Sequence, residues 1–373
     1  MICKVCHQEV DDKAEEILHN VPEGAQCLVE QYEDNSIGVN LHILQCPYCQ
    51  TVQLNDEPVR YYKEVITSVG YSKEMKNYRE KQMREFAQQY NLYEKRVLEI
   101  GTGRGALLEI VENIIPKAMG IEWNIEYVQK LKAKGHDVEK GYIQEDYISN
   151  RGPLDAFFIV NFLEHAPNPS GILKGIHRNL VSEGVGLVEV PNFDKMIRTN
   201  RFYDFIRDHL IYFTKDTLRI LLETNGFKVL DIYEAWKEDD LVAIVKKRES
   251  KEAKMLLNSK NNIKTILNNI INTRIAQNKK IAIWGASHQA LTLLSMSQNH
   301  NISYVIDSAI FKQGRYTPIL KIPIISPQQF RENPTDTIII MAAGYSKEVM
   351  EQIKRMKIEV EIFILKGDSI ERC

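Results

Sequence analysis

From Arg96 onward, short apolar runs alternate with amphipathic stretches of helical period, a rhythm that few folds other than a parallel α/β sheet can satisfy. RVLEI, AMGIEW, AFFIVNF and GVGLVEVPN read as successive buried strands. ALLEIVENII and EYVQKLKAKG read as helices that cross back over them. TKDTLRILLETNGF opens on Thr214, an N-cap, and closes on Gly226, a C′ residue; DLVAIVKK then ends the sheet. KIAIWGA, ISYVID, DTIIIMAAG and VEIFILKG repeat the rhythm further on, so this 373-residue chain is expected to be α/β with two sheet-forming units.

The first 55 residues obey a different rule. Cys3-x2-Cys6 and Cys46-x2-Cys49 are two knuckles that together present four thiolates, the donor set of a tetrahedral zinc ribbon. Four Cys ligands leave no open position, so the expected metal is a structural Zn2+ and not a catalytic one. A redox role is the weaker reading, because neither pair sits at a strand-to-helix turn. Cys27, between the knuckles, reads as a small buried side chain. Cys373 follows Ile370-Glu371-Arg372 and is not expected to form a prenylation box.

The turn after RVLEI carries the chemistry. Gly101, Thr102, Gly103 and Gly105 let the backbone turn tightly and approach a ligand at a helix N-terminus. GTGRGA also satisfies the relaxed dinucleotide fingerprint, so the loop by itself leaves NAD open. Two carboxylates decide between ligands. Glu99 would repel a pyrophosphate but suits the ammonium of an amino acid, and Glu122 ends the next strand, placed for ribose hydroxyls. S-adenosylmethionine is a nucleoside bearing an amino acid and satisfies both. Trp123 is placed to stack on its adenine, or equally to close the core edge.

A net charge of −2, with acidic clusters inside residues 7–39, argues against nucleic acid as a partner. No apolar run approaches the roughly 20 residues a membrane helix needs, and MICKVCHQEV has no signal-peptide core. A cytoplasmic location without membrane contact is expected. The sequence does not reveal the oligomeric state.

Asn161-Phe162-Leu163-Glu164-His165-Ala166-Pro167, at the end of the AFFIVNF strand, resembles the Leu-Glu-His element of class I methyltransferases. The resemblance implies cofactor contacts from Asn161 and Phe162; Glu164 and His165 read equally well as helix-capping residues. The order of a CxxC ribbon, a methyltransferase core and a second Rossmann-like unit is similar to the sugar C-methyltransferase family, over nearly the whole chain. It implies a zinc ribbon at 1–55, a helical lead-in or lid at 56–92 and a methyltransferase domain at 93–248. A helical linker at 249–278 and a Rossmann-like substrate domain at 279–373 follow.

Within that family likeness, Asp307 to Pro318 looks like a Lys-Gln-Gly-x-Tyr-Thr-Pro stretch, which implies that Lys312, Tyr316 and Thr317 help hold a nucleotide-sugar. The unit's own loop keeps only Gly285 and cannot make a full dinucleotide turn. Arg207 to Phe213 aligns with the family's base-bearing segment, so the resemblance implies His209 as general base, with Asp208 and Tyr212 beside it. Asp208 replaces a family Glu and Ile206 replaces a family Tyr. Tyr62, Tyr71 and Ser72 lie where the family's lid meets cofactor and substrate. The implied reaction is C-methylation of a nucleotide-linked keto-deoxysugar through an enolate. O-methylation of a small molecule in the same site is the alternative, and an NAD-dependent oxidoreductase a remote one.

Overall fold

The computed structural model describes residues 1–11, 15–24, 38–63, 70–249 and 252–373. Cys27 lies outside them. The chain forms two compact units, Met1–Glu249 and Ser250–Cys373. No helix among the described residues is long and apolar enough to cross a membrane.

The first unit begins with two knuckles built alike. The residue after each second cysteine, His7 or Gln50, takes a left-handed backbone (φ 60° and 64°). Its N–H then donates to the carbonyl of the first cysteine, at 3.0 Å to Cys3 and 2.9 Å to Cys46. Strands β1 (Glu15–Val21), β2 (Val39–Gln45) and β3 (Val52–Leu54) pair antiparallel behind the knuckles.

Ser72 caps α1 (Lys73–Gln89), its side chain accepting from the Met75 N–H. Next come β4 (Val97–Ile100), α2 (Ala106–Glu112), β5 (Ala118–Glu122), α3 (Ile125–Ala133), β6 (Val138–Lys140) and β7 (Leu154–Val160). Then follow α4 (Pro169–Asn179), β8 (Leu180–Pro191), α5 (Phe193–Arg198) and β9 (Ile211–Tyr212). Last are α6 (Lys215–Thr224), β10 (Phe227–Ala235) and β11 (Asp240–Lys247). The expected Thr214 cap of α6 is present as a capping box, and Gly226 just beyond the helix has φ 92°.

The large sheet runs β10-β11-β8-β7-β4-β5-β6. Only β8 through β6 are parallel; β11 and β10 are antiparallel, so the sheet is mixed where the rhythm alone predicted a parallel one. Two strands of this sheet were missed, the three-residue β6 and the antiparallel FKVLDIYEA of β10. Half-exposed, β10 lacks the solid apolar run of a central strand, and a left-handed turn at Trp236, Lys237 and Glu238 folds it back on β11.

Alternation along the central strands splits the core by face. Leu98, Ile100, Phe157 and Ile159 point one way and join a cluster containing Cys3, Val5, Leu44 and Cys46. The ribbon interior is thus continuous with one face of the sheet. Val97, Ala156 and Phe158 point the other way, against Met83 and Phe86 of α1 and Leu107 and Leu108 of α2. The ribbon is also joined by main chain: β3 pairs antiparallel with β9, and the Leu54 N–H donates to the Leu210 carbonyl at 2.9 Å.

In the second unit α7 (Glu252–Asn258) and α8 (Lys260–Ala276) precede β12 (Ile281–Trp284), α9 (His288–Ser297), β13 (Tyr304–Ile306) and β14 (Ile324–Ile325). After them come α10 (Pro327–Glu332), β15 (Thr337–Ile340), α11 (Ser346–Met356), β16 (Glu361–Lys366) and β17 (Ser369–Arg372). The strand order is β14-β13-β12-β15-β16-β17, parallel except for β17. Residues 249–278, expected as a helical linker, include α8, whose Leu267 and Ile271 are buried in the core of this unit.

One ion pair ties α1 to the large sheet. Arg79, 1% exposed, forms a two-pronged pair with the fully buried Glu189 of β8, and Gln82 donates to the same carboxylate at 3.0 Å. Breaking such a pair leaves a charge buried without compensation. Arg79→Leu is expected to cost about 3–5 kcal/mol of stability, read as a lower urea midpoint. The conservative double variant R79L/E189L should recover much of the loss.

Candidate active site

The carboxyl ends of β4 and β5 form a cradle. Gly101, Gly103 and Gly105 all have positive φ (75°, 57° and 86°) as the chain turns from β4 into α2. A Cβ added at Gly101 would lie 2.6 Å from the Phe162 ring, so no larger residue fits there. Glu122, at the end of β5, accepts from the Gly103 N–H at 2.8 Å and the Asn124 N–H at 2.7 Å. Thr102 is buried, its hydroxyl 3.4 Å from the Ile121 carbonyl.

Glu99 is 6% exposed, and its Oε2 has no hydrogen-bond partner among the described residues. Burial, then the neighbouring Glu122 charge, holds its carboxyl well above the ordinary range. An orphaned buried carboxyl beside a glycine loop is a ready site for a ligand cation.

Aromatic rings wall the same region. The Tyr142 ring centroid lies 6.1 Å from Tyr62, 6.4 Å from Trp123 and 6.1 Å from Phe162. The Lys63 ammonium lies 4.6 Å from the Trp123 centroid and 5.2 Å from that of Tyr142. Tyr142 and Lys63 were not among the residues expected from the sequence. The available signal for Tyr142 is that it follows the carboxyl end of a parallel strand, but β6 has only three residues and no apolar run. Asn161 sits at φ 48° with its N–H on the Glu189 carbonyl at 2.9 Å. Tyr71 is pushed up to about 12 by burial, and Ser72 serves as the cap of α1.

A second cluster gathers where the 163–165 turn meets the strand from the ribbon. The Leu210 N–H donates to the Glu164 carbonyl at 2.7 Å, and the Leu210 carbonyl is the one held by Leu54 of β3. His165 Nδ1 donates to the Asp208 main-chain carbonyl at 2.8 Å, while Tyr61 donates to the Asp208 carboxylate at 3.0 Å. His165 and His209 pack edge to face with ring centroids 4.8 Å apart. Burial, aided by His165, pushes the His209 imidazole down to about 3, and it is neutral at ordinary pH. The Tyr212 hydroxyl accepts from the Ile206 N–H at 2.9 Å and donates to the Ile206 carbonyl at 3.1 Å, closing the loop that carries His209.

The four ribbon cysteines converge. Cys3 and Cys49 sulfurs are 3.6 Å apart, as are those of Cys6 and Cys46, and all four lie within 4.8 Å of one another. A tetrahedron with Zn–S bonds of about 2.3 Å has edges of about 3.8 Å, so the donors fit that ion as they stand. None of the four is in a disulfide.

The residues expected to hold substrate in the second unit are spread out. The Lys312 ammonium donates to Asp307 at 2.9 Å and to the Ala286 carbonyl at 3.0 Å. Tyr316 is 65% exposed, whereas Thr317 is buried with its hydroxyl accepting from the Ile322 N–H at 3.0 Å.

Residues 72–232 match a family model for a methyltransferase domain, and residues 240–366 match one for the C-methyltransferase C-terminal domain. The C-methyltransferase NovU of Streptomyces niveus is 23% identical over 292 residues, which cover 69% of each chain. Among solved structures, an S-adenosylmethionine-dependent methyltransferase from Clostridium acetobutylicum is 13% identical (TM-score 0.40) and covers 46% of this chain and 92% of its own. The N-methyltransferase NodS from Bradyrhizobium japonicum is 15% identical (TM-score 0.36), covering 48% and 99%. The chain is a class I S-adenosylmethionine-dependent methyltransferase whose second unit matches the C-methyltransferase C-terminal domain.

Proposed function

We propose that this methyltransferase methylates the carbon next to the ketone of a nucleotide-linked keto-deoxysugar, with His209 as the general base. The observation that carries the reading is a neutral, partly buried imidazole on a loop pinned at Leu210, within the same unit as the cofactor cradle. His209 takes the proton from the α-carbon. The electron pair left behind enters the enolate, whose carbon receives the methyl group. Bound S-adenosylmethionine supplies that methyl on an activated sulfonium, and its thioether is the leaving group. Burial keeps His209 neutral with a free lone pair but also weakens it as a base, so the negative charge growing on the substrate must raise its proton affinity as transfer proceeds.

In this reading Glu99 holds the cofactor's ammonium, and Glu122, fixed by two N–H groups, offers its remaining lone pairs to the ribose. Gly101, Thr102, Gly103 and Gly105 form the floor; Trp123, Tyr142 and Phe162 flank the adenine, with Asn161 at the methionine side. Asp208 and Tyr212 hold the loop of the base. The resemblance to sugar C-methyltransferases supports Lys312, Tyr316 and Thr317 as substrate contacts, and the C-methyltransferase named among the relatives supports carbon as acceptor. Four cysteines at tetrahedral spacing support a structural zinc, and unpaired thiols suit a reducing cytoplasm.

His209→Asn is expected to lower methyl transfer by about 10²–10⁴-fold. Binding of S-adenosylhomocysteine by calorimetry should stay unchanged. A nucleotide-sugar screen with ¹³C-methyl donor reads the acceptor directly: a new C–CH3 resonance is expected, and an O–CH3 resonance would establish O-methylation instead. Gly101→Ala should weaken S-adenosylhomocysteine binding at least about tenfold, through the Phe162 clash and the left-handed backbone. Removing the metal with a chelator, or replacing Cys46 with Ser, should lower the melting temperature and speed amide exchange at Leu54 and Leu210. Exchange in β12 and β15 of the second unit should stay unchanged.

A further inference from the structure

Among the described residues, two groups of three or more His, Cys, Asp or Glu side chains converge closely enough to hold a metal ion. One is the set of four ribbon cysteines. The other is Glu164, His165 and His209, whose ligand atoms lie within 4.8 Å of one another. Glu164 is buried to 1% exposure, and neither carboxyl oxygen has a hydrogen-bond partner among the described residues. A buried carboxylate left in that state calls for a cation. The two imidazoles are only partly buried, which leaves an ion a way in.

The surroundings are arranged as those of a ligand set. His165 Nδ1 faces the Asp208 main-chain carbonyl at 2.8 Å, and a carbonyl can only accept, so Nδ1 carries the hydrogen. The neutral ring then keeps its lone pair on Nε2, the nitrogen 3.6 Å from Glu164 Oε1. A ligating histidine whose other nitrogen donates to a main-chain carbonyl is the usual support of a metal site. The Leu210 N–H, held on the Glu164 carbonyl at 2.7 Å, ties this turn to the loop that brings His209.

Neighbouring ligands of a tetrahedral ion with bonds of about 2.1 Å stand about 3.4 Å apart. Glu164 and His165 already have nearly that spacing, and a turn of the His209 side chain supplies the third ligand. Two imidazoles and one carboxylate suit Zn2+ and its neighbour Co2+ better than Mg2+ or Ca2+, which ask for oxygen donors.

We propose that Glu164, His165 and His209 form a second metal site, separate from the ribbon, for a divalent ion of the Zn2+ class. An ion held there blocks methyl transfer by occupying the lone pair of His209. The block rests on His209 being the base; the site does not.

The experiment uses full-length protein carrying Zn2+ in the ribbon, titrated with Co2+ alone. A further equivalent is expected to bind, with visible d–d bands but without the thiolate charge-transfer bands that cysteine ligation gives. In ¹⁵N-histidine protein the same equivalent should broaden the ring signals of His165 and His209, assigned by their loss in His165→Asn and His209→Asn. Glu164→Gln and His165→Asn, checked for folding by melting temperature and ribbon zinc, should each weaken binding at least about a hundredfold, since losing a supporting partner alone costs about 10–100-fold. The added ion should lower methyl transfer by about 10²–10⁴-fold, as loss of the base does, and a chelator too weak to empty the ribbon should restore the rate. Failure of the further equivalent to bind overturns the proposal, as does binding that leaves both imidazole signals sharp; neither outcome needs a variant. Binding unchanged in Glu164→Gln and His165→Asn overturns it as well. So does an added ion that leaves the rate unchanged, or raises it, in enzyme active on a keto-sugar. Absence of methyl transfer to any keto-sugar would sink the reading of His209, and the block with it, while the Co2+ titration still decides the site.

Discussion

The pairing of β3 with β9 is the joint on which the active unit depends. β9 has two residues, too few to hold a position alone, and it follows directly on the loop that carries His165's partner Asp208 and the imidazole of His209. One hydrogen bond from Leu54 fixes Leu210 from the ribbon side, and another from Leu210 to Glu164 fixes it to the sheet side. The loop is therefore clamped between two domains of different origin in the sequence. The ribbon can serve as a clamp because its own shape is set by thiol donors and twin knuckles, not by a large core of its own.

Much of this was legible in the chain before any coordinates. Solid apolar runs such as AFFIV and TIII mark central parallel strands, since burial on both faces leaves no room for polar residues. The knuckles and the glycine loop were legible because their spacing reflects local geometry. What escaped depends on contacts distant in sequence. Nothing local announces that Tyr212 will turn its hydroxyl onto Ile206, or that Arg79 on a polar helix will be drawn under Glu189, 110 residues away. Glu164 and His165 were ambiguous for the same reason: a Glu-His pair at a turn becomes a buried cluster only when Asp208 arrives from the far side.

Polar burial is unusually concentrated around the site. Glu99, Glu122, Glu164, Glu189, Asp208 and Asp240 are all less than a tenth exposed, within a single unit. Some are satisfied by backbone N–H groups, some by Arg79, and Glu99 and Glu164 are left with oxygens that find no hydrogen-bond partner among the described residues. A fold built for stability alone would replace such groups with apolar ones of like volume. Their retention is what the proposed site for a cationic cofactor and proton transfer would require.

The second unit shows how a dinucleotide fold can lose its carboxylate for a ribose diol. Asp307 stands after β13, where such folds keep a free carboxylate for a ribose diol. Here one oxygen accepts from the Ala309 N–H, and the other accepts from both the Ala286 N–H and the Lys312 ammonium. A diol would have to compete with a cation tethered five residues away, whose effective concentration is in the millimolar range or above. The unit thus keeps the strand order of a dinucleotide carrier while its own lysine occupies the carboxylate that a ribose diol would use.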